Sequence, residues 1–251
     1  MKMKLFLLVI AITFIVGLGF FACNDPVSAP ALNQLDKYYP LEVGSSITYD
    51  VDSINYHEIV PNDTSFWIVR ETLIDTFYDA NNNLNFVIER NQKKNDTDAW
   101  LLVNVWNVMM VDGQIQKIEN NLRFIKLTTP LAENSTWKGN IYLGGLSDIP
   151  VDEACNNLSF YEDWDYAYAL VDEPYSINGF EFKNSITVIQ EGDSNLIWYD
   201  YAREVYGEGV GLIEKEFYHF YTQDLSCPTC PWTVRVECGY SVKMRLRDYT
   251  N

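Results

Sequence analysis

Alternation with a period of two, punctuated by Asx-Gly turns, is the feature that most restricts this chain. In Trp164-Asp165-Tyr166-Ala167-Tyr168-Ala169-Leu170, the residues Trp164, Tyr166, Tyr168 and Leu170 fall on one face of an extended strand. Positions 196–206 and 212–221 interleave aromatic and charged residues in the same way. Asp112-Gly113 lies between two strand-like segments, 107–111 and 114–118, and Asn178-Gly179 lies between 175–177 and 180–182. Such pairs supply two consecutive positive φ angles, which is what a two-residue hairpin needs. Positions 79–83 predict a third hairpin tip between strands at 65–78 and 84–90, and Cys238-Gly239 is expected to turn a strand at 232–237 back onto 240–246.

After residue 22 no stretch sustains a three-four apolar spacing over about a dozen residues, the length a stable surface helix requires. Only a short helix within 152–163 is compatible with the pattern. The expected fold is therefore all-β, with ten or more mostly antiparallel strands. It would form a curved sheet or half-barrel, or a sandwich. The long strands at 65–78 and 196–206 favour a sheet that bends.

At the start of the chain, Lys2 and Lys4 precede an uncharged segment, 5–21, and Phe20-Phe21-Ala22-Cys23-Asn24 closes it. This is the pattern of a bacterial lipoprotein signal, with small Ala22 directly before the cysteine to be lipidated. A plain membrane anchor competes, because the apolar stretch is near the lower limit of about 17 residues for a spanning helix. The lipoprotein reading makes 1–22 a signal peptide and 23–36 a lipidated tether rich in Pro, Ala and Asn. One β-rich domain follows at 37–251. It makes the membrane a partner through lipid on Cys23 and places the protein in the cell envelope, with the outer membrane as the expected side.

The 251-residue chain carries 35 acidic and 18 basic residues, a formal net charge of −17. Removing the first 22 residues takes away two lysines and no acid, so the remainder is more acidic still. Such a surface repels phosphate backbones and anionic lipid headgroups, which argues against nucleic-acid partners and leaves membrane contact to acyl chains.

Cys155, Cys227, Cys230 and Cys238 remain beyond Cys23. Export to an oxidising compartment makes two disulfides the default. Six extended residues at 232–237 would hold Cys238 about 20 Å from the Cys227/Cys230 loop, whereas a disulfide needs Cα atoms within about 7 Å. The preferred pairs are thus Cys227 with Cys230 and Cys155 with Cys238. A zinc knuckle and a redox-active C-x-x-C are the functional rivals, the second requiring a helix after the motif where Pro231 and a β-like run stand.

Chemistry is sparse. His57 and His219 are the two histidines, and neither sits in a metal-ligand or triad pattern. Glu162, Asp163 and Asp165 beside Tyr161 and Trp164 form the best cluster for a two-carboxylate glycosidase, although a solvated acidic loop is the preferred account of them. Asp79, Asn81 and Asn83 occupy calcium-loop positions, but Leu84 and Arg90 replace the required glycine and glutamate. Gly207, Gly209 and Gly211 lack the following helix and Lys-Ser/Thr pair of a phosphate loop and read as a bulge or tight corner. No cofactor is expected. Seven tryptophans and seventeen tyrosines are expected mostly in the core, with the rest offering a surface for a glycan or an envelope protein.

Two segments carry a resemblance. Tyr38-Tyr39-Pro40-Leu41-Glu42-Val43-Gly44 and Val205-Tyr206-Gly207-Glu208-Gly209-Val210-Gly211-Leu212-Ile213-Glu214-Lys215-Glu216 resemble the opening and late signatures of uncharacterised envelope lipoproteins of the Bacteroidetes. The likeness extends to 121–124 and 137–140. It implies export and a single domain, and it brings no substrate or catalytic residue. The sequence expectation is accordingly a membrane-anchored, non-catalytic binding or assembly module. A carrier of a lipid or other hydrophobic ligand is the second expectation, and a carbohydrate-active hydrolase the third.

Overall fold

A computed structural model describes residues 32–145, 158–162 and 164–250. Helix α1 (Leu32–Tyr38) leads into strands β1 (Ser46–Tyr56), β2 (Asp63–Tyr78), β3 (Leu84–Lys93), β4 (Leu101–Val111), β5 (Gln114–Glu119), β6 (Leu122–Thr128) and β7 (Thr136–Lys138). A 3-10 turn at Leu158–Tyr161 precedes β8 (Asp165–Ile177), β9 (Phe180–Ser194), β10 (Trp198–Gly207) and β11 (Gly211–Tyr221). Helix α2 (Trp232–Arg235) and β12 (Cys238–Thr250) complete the described chain. The strands form one antiparallel sheet in the order β6-β5-β4-β3-β2-β1-β12-β11-β10-β9-β8-β7. Its two ends approach each other: the Ile125 amide donates to the Gly139 carbonyl at 2.8 Å, and the Trp137 indole donates to the Ile125 carbonyl at 2.9 Å. The all-β, curved-sheet expectation holds, and the sheet curls until it nearly closes into a barrel.

The hairpins sit where the turn residues place them. Asp112 and Gly113 have φ of 51° and 70°, and Asn178 and Gly179 have 48° and 86°, the mirror-image turns that match strand twist. At 79–83 the Asp79 carboxylate accepts the amides of Asn81 and Asn83, so this segment is a hairpin tip. The β10–β11 corner is bulged at Val205/Tyr206, and a Cβ on Gly207 would lie 2.7 Å from the Phe182 ring.

Four local expectations are corrected. Positions 32–36, assigned to the tether, belong to α1, and Leu35 and Tyr38 are 0% and 1% exposed in the main core. The Tyr38 hydroxyl and the Lys37 ammonium both reach Asp172 of β8, and the Gly209 amide donates to the Lys37 carbonyl, which ties the helix to two elements. Residues 232–235 form a helical turn instead of a strand. Pro231 stands at its start, and Arg235 folds back over the Trp232 ring at 3.7 Å while donating to the Leu196 carbonyl. Cys238-Gly239 consequently opens β12 between β1 and β11 and does not form a hairpin. Finally, Leu170 is exposed although Tyr166 and Tyr168 are buried, because a bulge between Tyr168 and Leu170 shifts the register and flips the face.

Candidate functional site

The concave face is defined by a continuous cross-strand row. Val51 pairs with Met244, Met244 with Lys215, Lys215 with Glu204, Glu204 with Val188, and Val188 with Tyr168. Tyr38, Tyr166, Tyr168, Trp164, Tyr206 and Phe217 belong to the main buried cluster, with Tyr39, Trp106, Phe160, Tyr161 and Tyr240 packed against it. Most of the large aromatic residues therefore do pack in the core, as strand formers tend to.

Within this aromatic lining runs a chain of alternating charges. Arg90 pairs with Glu71, and Glu71 with Lys117 at 2.9 Å. Lys117 pairs with Glu119 at 3.1 Å, and Glu119 with Lys126 at 3.7 Å. Lys126 reaches Glu204 at 3.1 Å, and Glu204 reaches Lys215 at 3.2 Å. Register explains how these groups come inside. Glu71 and Arg90 are direct cross-strand partners on β2 and β3, as are Glu204 and Lys215 on β10 and β11. Lys126 is the extra residue of the β5–β6 bulge, which turns it inward. The Lys126–Glu204 pair joins strands that are not neighbours in the sheet, so it spans the interior.

The buried carboxylates stay ionised. Burial works to raise each of them, but Lys117 and Arg90 outweigh it at Glu71, and Lys126 and Lys117 outweigh it at Glu119. Lys126 and Lys215 bring Glu204 down to about 2, and the Tyr206 hydroxyl donates to it at 2.6 Å. In the same way Glu71 and Glu119 overcome burial at Lys117 and hold its ammonium charged.

Against this chain lies a cavity of about 180 Å³, lined by Arg90, Glu71, Lys117, Glu119 and Lys215 on the charged side and by Trp106, Phe217 and Met244 among its other walls. Arg90 and Lys117 both stand over the Trp106 ring, at 4.7 and 4.8 Å. Tyr161 of the 3-10 turn also lines it, and its hydroxyl contacts that of Tyr240 at 3.2 Å. Phe160, next in chain, lines a different cleft of about 320 Å³ with Glu162, Trp164, Glu191, Asp193, Trp198, Asp200 and His219. There His219 stacks on Phe160 at 3.9 Å between ring centres, and its Nδ1 lies 2.5 Å from Asp200. Burial, with Asp200 and Asp193 adding, pushes the Glu191 carboxyl up.

Of the sequence candidates for sugar chemistry, Glu162 and Trp164 line this cleft, whereas Asp165 points to Lys138 at 3.0 Å on the exposed edge strand and Asp163 lies outside the described residues. Cys227 and Cys230 form a disulfide. Cys238 is disulfide-bonded too, while Cys155 and Cys23 lie outside the described residues. A helical turn does follow the C-x-x-C motif, contrary to expectation. Glu71, Arg90, Lys117, Glu119, Lys126, Glu204 and Lys215 were not singled out as a group by sequence.

No protein-family model matches the sequence, and no curated protein matches it. Among solved structures, a protein of Parabacteroides distasonis described as a lipoprotein aligns over 85% of this chain and 98% of its own, with 11% identity and a TM-score of 0.42. A domain of Vibrio parahaemolyticus described as an outer membrane lipoprotein-sorting protein aligns over 87% and 90%, with 10% identity and a TM-score of 0.21. A DUF1329 family protein of Desulfovibrio piger aligns over 87% and 89%, with 12% identity and a TM-score of 0.18. Likeness at these TM-scores carries no statement about this chain, whose function has to be argued from its own residues.

Proposed function

We propose that this chain is a lipid-anchored lipoprotein of the bacterial cell envelope, held through Cys23 at the outer membrane, and that it is a non-catalytic binding module whose ligand site is the concave cavity. The anchor rests on the signal pattern ending at Cys23 and on the resemblance of 38–44 and 205–216 to envelope lipoproteins. The binding role rests on one observation: Glu71, Glu119 and Glu204 beside the cavity are all held ionised by ion pairs. A carboxylate kept far below neutrality cannot deliver a proton to a leaving group, while the aromatic and apolar walls still offer contact area. At about 180 Å³ the cavity is smaller than the roughly 300–1,000 Å³ of ordinary ligand pockets, which favours a small ligand over a whole lipid.

A second reading places a carbohydrate-active hydrolase in the acidic cleft, because the raised Glu191 beside Asp200 has the character of a general acid next to a second carboxyl. One set of measurements separates the two. Cells fed an alkyne palmitate are expected to label the wild-type chain and not Cys23→Ser, and an unlabelled wild type would remove the anchor. Purified protein incubated with cell-envelope glycans is expected to release no new reducing ends. Release that disappears in Glu191→Gln would replace the binding reading with the hydrolase.

A further inference from the structure

The charge chain begins and ends with a cation. Its order is Arg90, Glu71, Lys117, Glu119, Lys126, Glu204, Lys215, so four positive groups are set against three negative ones. Both terminal members line the same cavity, together with Glu71, Lys117 and Glu119, so that the charged wall there carries three cations and two carboxylates. Each has one carboxylate partner among the described residues, Glu71 for Arg90 and Glu204 for Lys215, whereas Lys117 and Lys126 each have two. A guanidinium has five N–H donors and an ammonium three, so both ends keep donors beyond those pairs. Their side chains are 15% and 21% exposed, too little for bulk water to solvate the surplus charge at full strength. The surplus is the more unusual in a chain of net charge −17.

We propose that the cavity binds a small organic monoanion, its carboxylate taken by Arg90 and Lys215 and its apolar body laid against Leu212, Phe217, Val242 and Met244. One added negative charge balances the chain at four against four. A phosphate monoester, with up to two charges beside three buried glutamates, would overshoot that balance and meet repulsion in a region of low dielectric. A neutral ligand would leave the surplus cation uncompensated. The apolar wall and the Trp106 and Phe217 rings select for a body of a few carbon atoms over a bare inorganic ion. The inference rests on the binding reading of this cavity and adds to it the class of ligand.

The test is calorimetry on the full chain in nanodiscs of zwitterionic lipid, with empty discs as the blank, using hexanoate and its neutral counterpart hexanamide. Hexanoate is expected to bind at least tenfold more tightly than hexanamide on the unmodified protein, a comparison that needs no variant to fold. Arg90→Met and Lys215→Met are each expected to weaken hexanoate at least tenfold, and by a larger factor than they weaken hexanamide. Equal affinity for the two probes would overturn the anion assignment and leave the cavity a binding site. Binding of neither would overturn both the assignment and the binding reading.

Discussion

Glu204→Gln is expected to destabilise the protein by about 3–5 kcal/mol at neutral pH, enough to unfold much of it, because it leaves Lys126 and Lys215 facing a neutral group in the interior. Glu204 is 1% exposed and bridges β6 and β10 across the lumen through Lys126, so its loss removes the cross-connection, takes the carboxylate partner from Lys215 and leaves Lys126 with Glu119 alone. An intact buried ion pair adds little net stability, since desolvation offsets attraction, but a broken one costs the full desolvation of whatever remains. The same carboxyl sets a pH dependence. Its native pKa of about 2 lies below the ordinary 4.5, so the stability it confers is complete above the ordinary value and drains away as pH falls from about 4.5 towards 2. At 1.36 kcal/mol per unit that is on the order of 3 kcal/mol from this group, with Glu71 and Glu119 acting in the same direction. Urea unfolding followed by tyrosine and tryptophan fluorescence at pH 7 and pH 3 measures both effects. The wild type should lose several kcal/mol between the two, and Glu204→Gln should lose distinctly less; identical pH dependence in the two proteins would show that the charge chain does not govern acid stability.

That charge chain also marks where the sequence stops being legible. Strands and hairpins follow from local rules: Asp112-Gly113 and Asn178-Gly179 can hardly do anything but reverse the chain, and the long runs through β2 and β10 look like strands because they are built of β-branched and aromatic residues. Inward charges break the binary pattern that assigns faces. In Gln114–Glu119 the inward residues are Ile115, Lys117 and Glu119, so one apolar residue shares its face with two charges, and the partners that make this tolerable lie on β2 and β6. Lys126 faces inward through a bulge, and Leu170 faces outward through another, and bulges leave little trace in composition. Helix α1 is seven residues long, too short for a periodic signal, and it is stable because Leu35 and Tyr38 find a core that the rest of the chain builds. Residues 232–235 carry β-branched alternation, yet Pro231 and the Arg235 contacts to Trp232 and Leu196 hold them in a helical turn, a case of tertiary contacts overriding propensity.

Gly239→Ala is the second substitution expected to be severe, at more than about 4 kcal/mol. Gly239 opens β12, the strand that joins the two halves of the sheet, and it is paired on both sides, with Tyr56 on β1 and Phe220 on β11. Its φ of +130° lies where essentially only glycine goes, and a Cβ there would stand 2.0 Å from the His219 carbonyl oxygen and 3.1 Å from the Phe220 Cα. Those are backbone atoms held in the ladder, so no side-chain rotation relieves the overlap and β11 and β12 must separate. Separation would displace His219 from its stack on Phe160 and Tyr240 from its contact with Tyr161, which places one wall of each concave opening at risk together. Gly179→Ala is the control: its φ is +86°, but nothing lies within 4 Å of the new Cβ, so only the left-handed strain of about 1–2 kcal/mol applies. Chemical denaturation of both variants with disulfides intact should put Gly239→Ala well below Gly179→Ala. Equal losses would mean that β12 can move away from His219 at little cost, and that the concave face is a far more yielding surface than its close packing implies.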